Sequence, residues 1–370
     1  MPSRSLLTLN TRHAAIPIAA LALFVVGLAA HPSNVVLAGF GIVLALAVLE
    51  AVRHAEVVAH RVGEPLGSLI LAVSVTIIEV GLIVVLMSAH PESTATVARD
   101  TVFSAAMIAC NGIVGGALVI GTVRGRVATF NPEGVGAAVA AIAALATLCL
   151  ILPNYTLTTT GPYFSPAQLV FAAVASLAIY IAFVSAQTLR HRDLFLEADD
   201  SGSAVAEPTA AASHDVRPTR RAAGVSLVLL MISLIAVVGL AKLTTPLIES
   251  AVDDAGLPQS VVAVSIALLV LLPEAIAALR ASHRGDVQKS LNLAYGSVMA
   301  SIGLTIPVIA MISLAFDYRL ALGLPNAAIV LLALTVAVAT LTIVPGRSIL
   351  LQGVVHLSIF SAFIVLAFNP

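Results

Sequence analysis

The sequence predicts an all-α integral membrane protein with about eleven transmembrane helices and an internal repeat that is inverted in the membrane. Composition is the first reason: of 370 residues, 59% are hydrophobic and 10% charged, with a mean hydropathy of +1.07, against about 25% charged in an ordinary soluble domain. The second is the arrangement of the apolar residues in solid runs of bilayer-spanning length, about 20 residues. A barrel would instead alternate apolar and polar positions, so strands are not expected. The third is a matched pair of acids: the run 66–87 holds only Glu79, and the run 260–281 holds Glu274 well inside its apolar length.

Taken in order, apolar helices are expected at 14–31, 34–51, 66–88, 101–122, 135–152, 166–187, 223–241, 259–279, 291–315, 322–344 and 349–368. The first run resembles a signal-peptide core, but it passes through His31-Pro32-Ser33-Asn34 into the second with no convincing cleavage site, and it is read as a retained helix. The second is read as continuing amphipathically through Glu50, Arg53, His54, Glu56 and His60, either as a solvated face, the simpler reading, or as a cytoplasmic approach for cations. Residues 190–222 form the one long hydrophilic stretch, acidic and then basic. Its composition reads as a flexible cytoplasmic linker; a sharper reading makes the acidic part cation-regulatory.

Basic residues set the orientation. With the amino terminus in the cytoplasm, fifteen of the eighteen Lys and Arg fall on the inner side, leaving Arg99, Lys242 and Arg319 outside. The carboxyl terminus then lies outside as well. The near balance of 18 basic and 19 acidic residues suggests no nucleic-acid partner; the partners implied are the lipid bilayer and transported ions, with the oligomeric state open. Cys110 and Cys149 sit in apolar runs and read as small buried hydrophobes.

On insertion scales a carboxylate near the centre of a membrane helix costs roughly 2.5–3.5 kcal/mol, so Glu79 and Glu274 each need a partner or a task. Their helices run in opposite directions, and each is followed by a helix with small and polar residues: Ala106-Met107-Ile108-Ala109-Cys110-Asn111 and Gly296-Ser297-Val298-Met299-Ala300-Ser301. Inverted repeats with binding residues at mid-membrane belong to transporters. Two carboxylates can neutralise a divalent cation or hold protons in its absence. Hard cations want further oxygens, six to eight for Ca2+. Pro273 should free backbone carbonyls a turn earlier, at Leu269 and Val270. Ser74 and Thr76 offer hydroxyls, and Asn111, Asn292, Ser297 and Ser301 are candidate ligands on the neighbouring helices. Because burial favours the protonated acid and a cation the ionised one, a single site with mutually exclusive occupants gives exchange.

The segments Gly-Glu-Pro-Leu-Gly-Ser-Leu-Ile-Leu-Ala-Val-Ser-Val-Thr-Ile-Ile-Glu-Val at 63–80, Ala-Arg-Asp-Thr-Val-Phe-Ser-Ala at 98–105 and Cys-Asn-Gly-Ile-Val-Gly-Gly at 110–116 closely resemble the bacterial calcium/proton antiporters of the cation/calcium exchanger superfamily. Leu-Leu-Pro-Glu-Ala at 271–275 and Asn-Leu-Ala-Tyr-Gly-Ser at 292–297 resemble that family's second repeat. The resemblance implies two inverted five-helix repeats plus an extra first helix: 1–33, then 34–189, a linker at 190–222, and 223–370. It also implies that Glu79 and Glu274 carry cation and proton, with weight on Asn111 and Ser301, and that no cofactor is needed beyond transported Ca2+ and H+. One departure matters. Many superfamily members carry Gly-Asn shortly before each glutamate, where this chain has Thr76-Ile77-Ile78 and Leu271-Leu272-Pro273. This bacterial branch is also associated with Na+ and K+, so the alternative is a Na+(K+)/H+ antiporter.

Two other classes have less behind them. A channel needs a continuous polar lining, and an intramembrane metal enzyme needs a ligand set such as His-Glu-x-x-His, which the sequence lacks. The protein is therefore expected not to be an enzyme. Lone His356 reads as a bonded packing residue, Arg99 with Asp100 as an interfacial ion pair, Lys242 and Glu249 as interfacial charges, and Asp286 as a loop charge.

Overall fold

The computed structural model describes residues 11–30, 32–63, 66–89, 95–195 and 218–370. Among them the chain forms eleven helices. The first three are α1 (Thr11–Ala29), α2 (Asn34–Val62) and α3 (Leu66–Ala89). Next comes α4, made of Val97–Met107, a π-helical turn at Ile108–Ile113, and Val114–Gly125. Two more helices end in π-turns: α5 (Pro132–Ala146, then Thr147–Ile151) and α6 (Pro166–Ser185, then Ala186–Arg190). The second half has α7 (Arg220–Asp254) and α8 (Ser260–His283). In α9, Val287–Ala300 leads through a π-turn at Ser301–Thr305 into Ile306–Phe316. The last two are α10 (Asn326–Ile343) and α11 (Leu350–Phe368). Ten helices are long and apolar enough to cross a membrane, while α1 is a shorter apolar helix. The expected linker lies mostly at 196–217, outside the described residues.

The helix starts follow local chemistry. Asn131 accepts from Glu133 N at 3.0 Å ahead of α5, with Pro132 in the first turn. Ser165 and Gln168 close a reciprocal capping box on α6. Thr219 accepts from Ala222 N at 3.1 Å to open α7. Asp286, expected to be a simple loop charge, caps α9 by accepting from Lys289 N at 2.9 Å.

Some boundaries differ from expectation because a run of apolar residues marks where a helix meets lipid, not where it ends. α7 continues well past 241. Thr244 and Thr245 return their hydroxyls to Leu240 and Ala241 carbonyls at 2.9 and 2.8 Å, and the helix stops only near Gly256, whose φ is +64°. α2, by contrast, continues past 51 as its amphipathic sequence suggests and runs to Val62, closed by Gly63 at φ +80°, whose N–H donates to the Ala59 carbonyl at 2.8 Å. A two-residue antiparallel ladder, Ala128–Thr129 with Arg347–Ser348, joins the loop after α4 to the loop before α11 where no strand is expected. Arg99 pairs with Asp100 at 2.8 Å, as its position suggests, and also donates to the Gly323 carbonyl at 2.8 Å.

Packing displays the inverted repeat. α3 lies on α9 and α8 on α4; α6 lies on α9 and α11 on α4; α2 lies on α7. When α2–α6 is matched to α7–α11, the first two pairs exchange with each other, as do the next two, and the α2–α7 pair maps onto itself. Large apolar side chains such as Val174, Val330 and Leu341 point outward from this bundle, as a lipid-facing surface requires. The α4–α11 crossing is close enough that a Cβ on Gly353 would meet the Val119 backbone nitrogen at 2.9 Å, whereas one on Gly39 meets nothing within 4 Å. Backbone cannot yield as a side chain can. Gly353→Val is therefore expected to destabilise the fold by about 1–3 kcal/mol and to lower the apparent melting temperature in detergent, with Gly39→Val close to the wild type.

Candidate cation site

Glu79 lies on α3 with 3% of its surface exposed. Ser301 Oγ donates to its Oε1 at 2.5 Å and Thr305 Oγ1 to its Oε2 at 2.9 Å. Both hydroxyls come from the π-turn of α9, in the other repeat. The cause of that turn is in the sequence: Pro307 has no N–H to give the Gly303 carbonyl, and its ring crowds the same carbonyl, so the helix widens there. The corresponding π-turn in α4 contains Gly112 and is followed by Gly115 and Gly116. Such turns recur at functional sites.

Glu274 lies on α8, which packs along the π-turn of α4. The residue is half-buried, but its Oε2 is shielded and has no hydrogen-bond partner among the described residues. Glu79 and Glu56 lie close enough to act on it by charge repulsion.

The other expected ligands divide. Ser301 is at the site. Ser297 is half-buried four residues earlier and so on the same helix face. Thr76 is buried with an unpaired Oγ1, while Ser74 spends its hydroxyl on the Ile70 carbonyl at 2.7 Å. Leu269 and Val270 stay inside an unbroken α-helix. Pro273 removes the donor opposite Leu269 without opening the helix, and the π-turns fall in α4, α5, α6 and α9 instead. Asn292 is committed elsewhere: it donates to the Phe195 carbonyl at 2.6 Å and accepts from Gln288 at 3.0 Å. Asn111 is fully buried, and it bonds Thr335 at 2.9 Å, His356 at 3.1 Å and the Met107 sulfur at 3.9 Å rather than a glutamate.

Three features were not foreseen. Thr305 sits four residues after Ser301 in an apolar run, a spacing that marks a shared face. Tyr295 is buried with an unpaired hydroxyl. The acidic and histidine cluster of α2 is only in part the solvated face expected: His60 is exposed and Glu56 half-buried, but Glu50 and His54 are 8% and 3% exposed. Glu50 binds His13 Nδ1 of α1 at 2.9 Å, His54 Nε2 donates to the His13 carbonyl at 3.1 Å, and Arg53 reaches the same ring. Glu56, on the same helix, is half-buried near Arg53, His60 and Lys289.

The donors at Glu79 are hard oxygens: its own carboxylate and the two hydroxyls from α9. Among the described residues no group of three or more His, Cys, Asp or Glu is arranged to hold a metal. A bound ion would therefore complete its shell with hydroxyl, carbonyl or water oxygens, as Na+, K+ and Ca2+ do.

An inverted-repeat helical bundle with an acid from each half in its interior defines a multi-pass cation transporter of the exchanger kind. The chain belongs to the sodium/calcium exchanger protein family, which it matches at residues 33–189 and 225–369. It is 34% identical over 319 residues, 86% of this chain and 84% of the relative, to the sodium-potassium/proton antiporter ChaA of Escherichia coli. It is 45% identical over 324 residues, 88% of this chain and 86% of the relative, to y4hA of Sinorhizobium fredii. Among solved structures it resembles native YfkE, with a TM-score of 0.71 at 13% identity over 97% of this chain and 100% of the other. The H+/Ca2+ exchanger CAX gives 0.69 at 14% identity over 97% and 89%. At these identities the likeness is one of fold.

The clasp on Glu79 makes a measurable demand. Ser301→Ala and Thr305→Val are each expected to destabilise the detergent-solubilised protein by about 1–3 kcal/mol, the penalty for an unsatisfied buried polar group. In a Glu79→Leu background both losses should vanish, as read by melting temperature in a double-mutant cycle.

Proposed function

We propose that this protein is a secondary antiporter of the bacterial cytoplasmic membrane that moves Ca2+ out of the cytoplasm in exchange for entering protons. The observation that carries the reading is the carboxylate of one repeat held by hydroxyls of the other, with the second repeat's own glutamate in electrostatic reach. Two acids in one dry interior bind a divalent ion well and leave it poorly without protons to replace it. Ion and protons thus compete for the same oxygens. The amino terminus is placed in the cytoplasm and the carboxyl terminus outside, with 1–33 as an added helix, 34–189 and 223–370 as the repeats and 190–222 as a cytoplasmic linker. Glu56 supplies a cytoplasmic approach to Glu274.

A second reading, Na+ or K+ against protons on the same scaffold, is favoured by the 34% identity to a relative named a sodium-potassium/proton antiporter. Everted vesicles with an imposed pH gradient separate the two. Ca2+ added alone should collapse the gradient under the first reading, and Na+ or K+ alone under the second. A gradient that no cation disturbs removes both. Glu79→Gln and Glu274→Gln are each expected to abolish exchange while the protein still inserts; wild-type exchange by either variant would contradict the assignment.

A further inference from the structure

His356 is a fully buried acid–base group to which the exchange cycle above gives no role. It lies on α11, fully shielded, with Asn111 Oδ1 at 3.1 Å from Nδ1 and Thr342 Oγ1 at 3.2 Å from Nε2. The proton positions follow from the bonds around it. Thr335 Oγ1 donates to the Leu331 carbonyl at 2.7 Å, so it receives the bond from Asn111 Nδ2 at 2.9 Å. That fixes the carboxamide, with nitrogen toward Thr335 and oxygen toward His356. A carboxamide oxygen only accepts, so His356 Nδ1 carries a proton. Thr342 differs from Thr335 and Thr340, which return their hydroxyls to carbonyls four residues back; its hydroxyl faces the ring and donates to a bare Nε2. The ring is neutral and in its Nδ1–H form.

This chain of bonds ties α10 and α11 to the π-turn of α4, the segment along which α8 carries Glu274. In the second repeat the corresponding π-turn gives its hydroxyls directly to Glu79. In the first, the polar side chain of the turn is held from behind. We propose that His356 is a positioning residue for cation binding: through its Nδ1–H it fixes the Asn111 carboxamide and the π-turn 108–113, and so sets the shape of the half-site at Glu274. The inference rests on the exchanger reading and adds to it a residue that touches no ion.

The test measures cation-dependent proton movement in proteoliposomes, using whichever of Ca2+, Na+ or K+ the wild type exchanges. Loss of an outer-shell partner of a metal ligand lowers affinity about 10–100-fold. His356→Ala is therefore expected to raise the KM for the cation by about tenfold or more, with the maximal rate within about twofold. His356→Gln, whose amide can still donate to Asn111, should recover most of the affinity. In an Asn111→Ala background His356→Ala should add nothing. An unchanged KM, or a fall in maximal rate that glutamine does not rescue, overturns the proposal. If His356→Ala does not fold, Thr342→Val decides: a raised KM supports the proposal and an unchanged one overturns it. Nitrogen NMR on histidine-labelled protein provides a readout independent of transport, and an Nε2–H form at residue 356 also overturns the proposal. A wild type that exchanges none of the three ions removes the antiporter reading together with this one; exchange with an unchanged KM removes this one alone.

Discussion

A carboxylate cannot sit unaided in a dry interior, and the fold around Glu79 meets that demand from across the molecule. Its two oxygens are taken by Ser301 and Thr305, from the helix that follows the other glutamate rather than its own. Desolvating a charged group costs several kcal/mol, and only fixed donors offset it. The π-turn of α9 supplies two such donors on one face, and Pro307 is what holds that turn open. Sequence, local irregularity and buried charge are linked here through one missing N–H.

The two halves solve the same problem unequally. Glu79 is fully clasped, whereas Glu274 keeps an unpaired oxygen and shares its surroundings with Glu56. The π-turn opposite Glu274 contributes an asparagine already engaged with Thr335 and His356. The topology is close to two-fold but the side-chain chemistry is not. A symmetric scaffold therefore carries an asymmetric site, with one acid satisfied by protein and the other left with bonding capacity to spare.

Much of the architecture was legible because lipid imposes simple rules: runs of spanning length gave the helices, and the price of an intramembrane charge pointed to Glu79 and Glu274. Helix ends were less legible, since α7 runs on through Thr244 and Thr245 into polar sequence with no change in backbone. Proline was half-read. Pro273 drew attention but leaves α8 intact, while Pro307, unremarked, distorts α9. Polar partners were hardest, because a hydrogen bond between Asn111 and His356 joins residues 245 apart and no local pattern encodes it. Glu50 and His54 looked solvated until α1 was laid over them.

The hydroxyl clasp on Glu79 has a consequence for leakage. It bridges the two halves of the bundle, so under the proposed exchange cycle the same bonds that satisfy the acid also act as a latch between those halves. A bare carboxylate keeps the latch shut, because opening it would strand a charge in oil. Under the proposed exchange cycle, slippage without a bound ion is thus opposed at the acid itself.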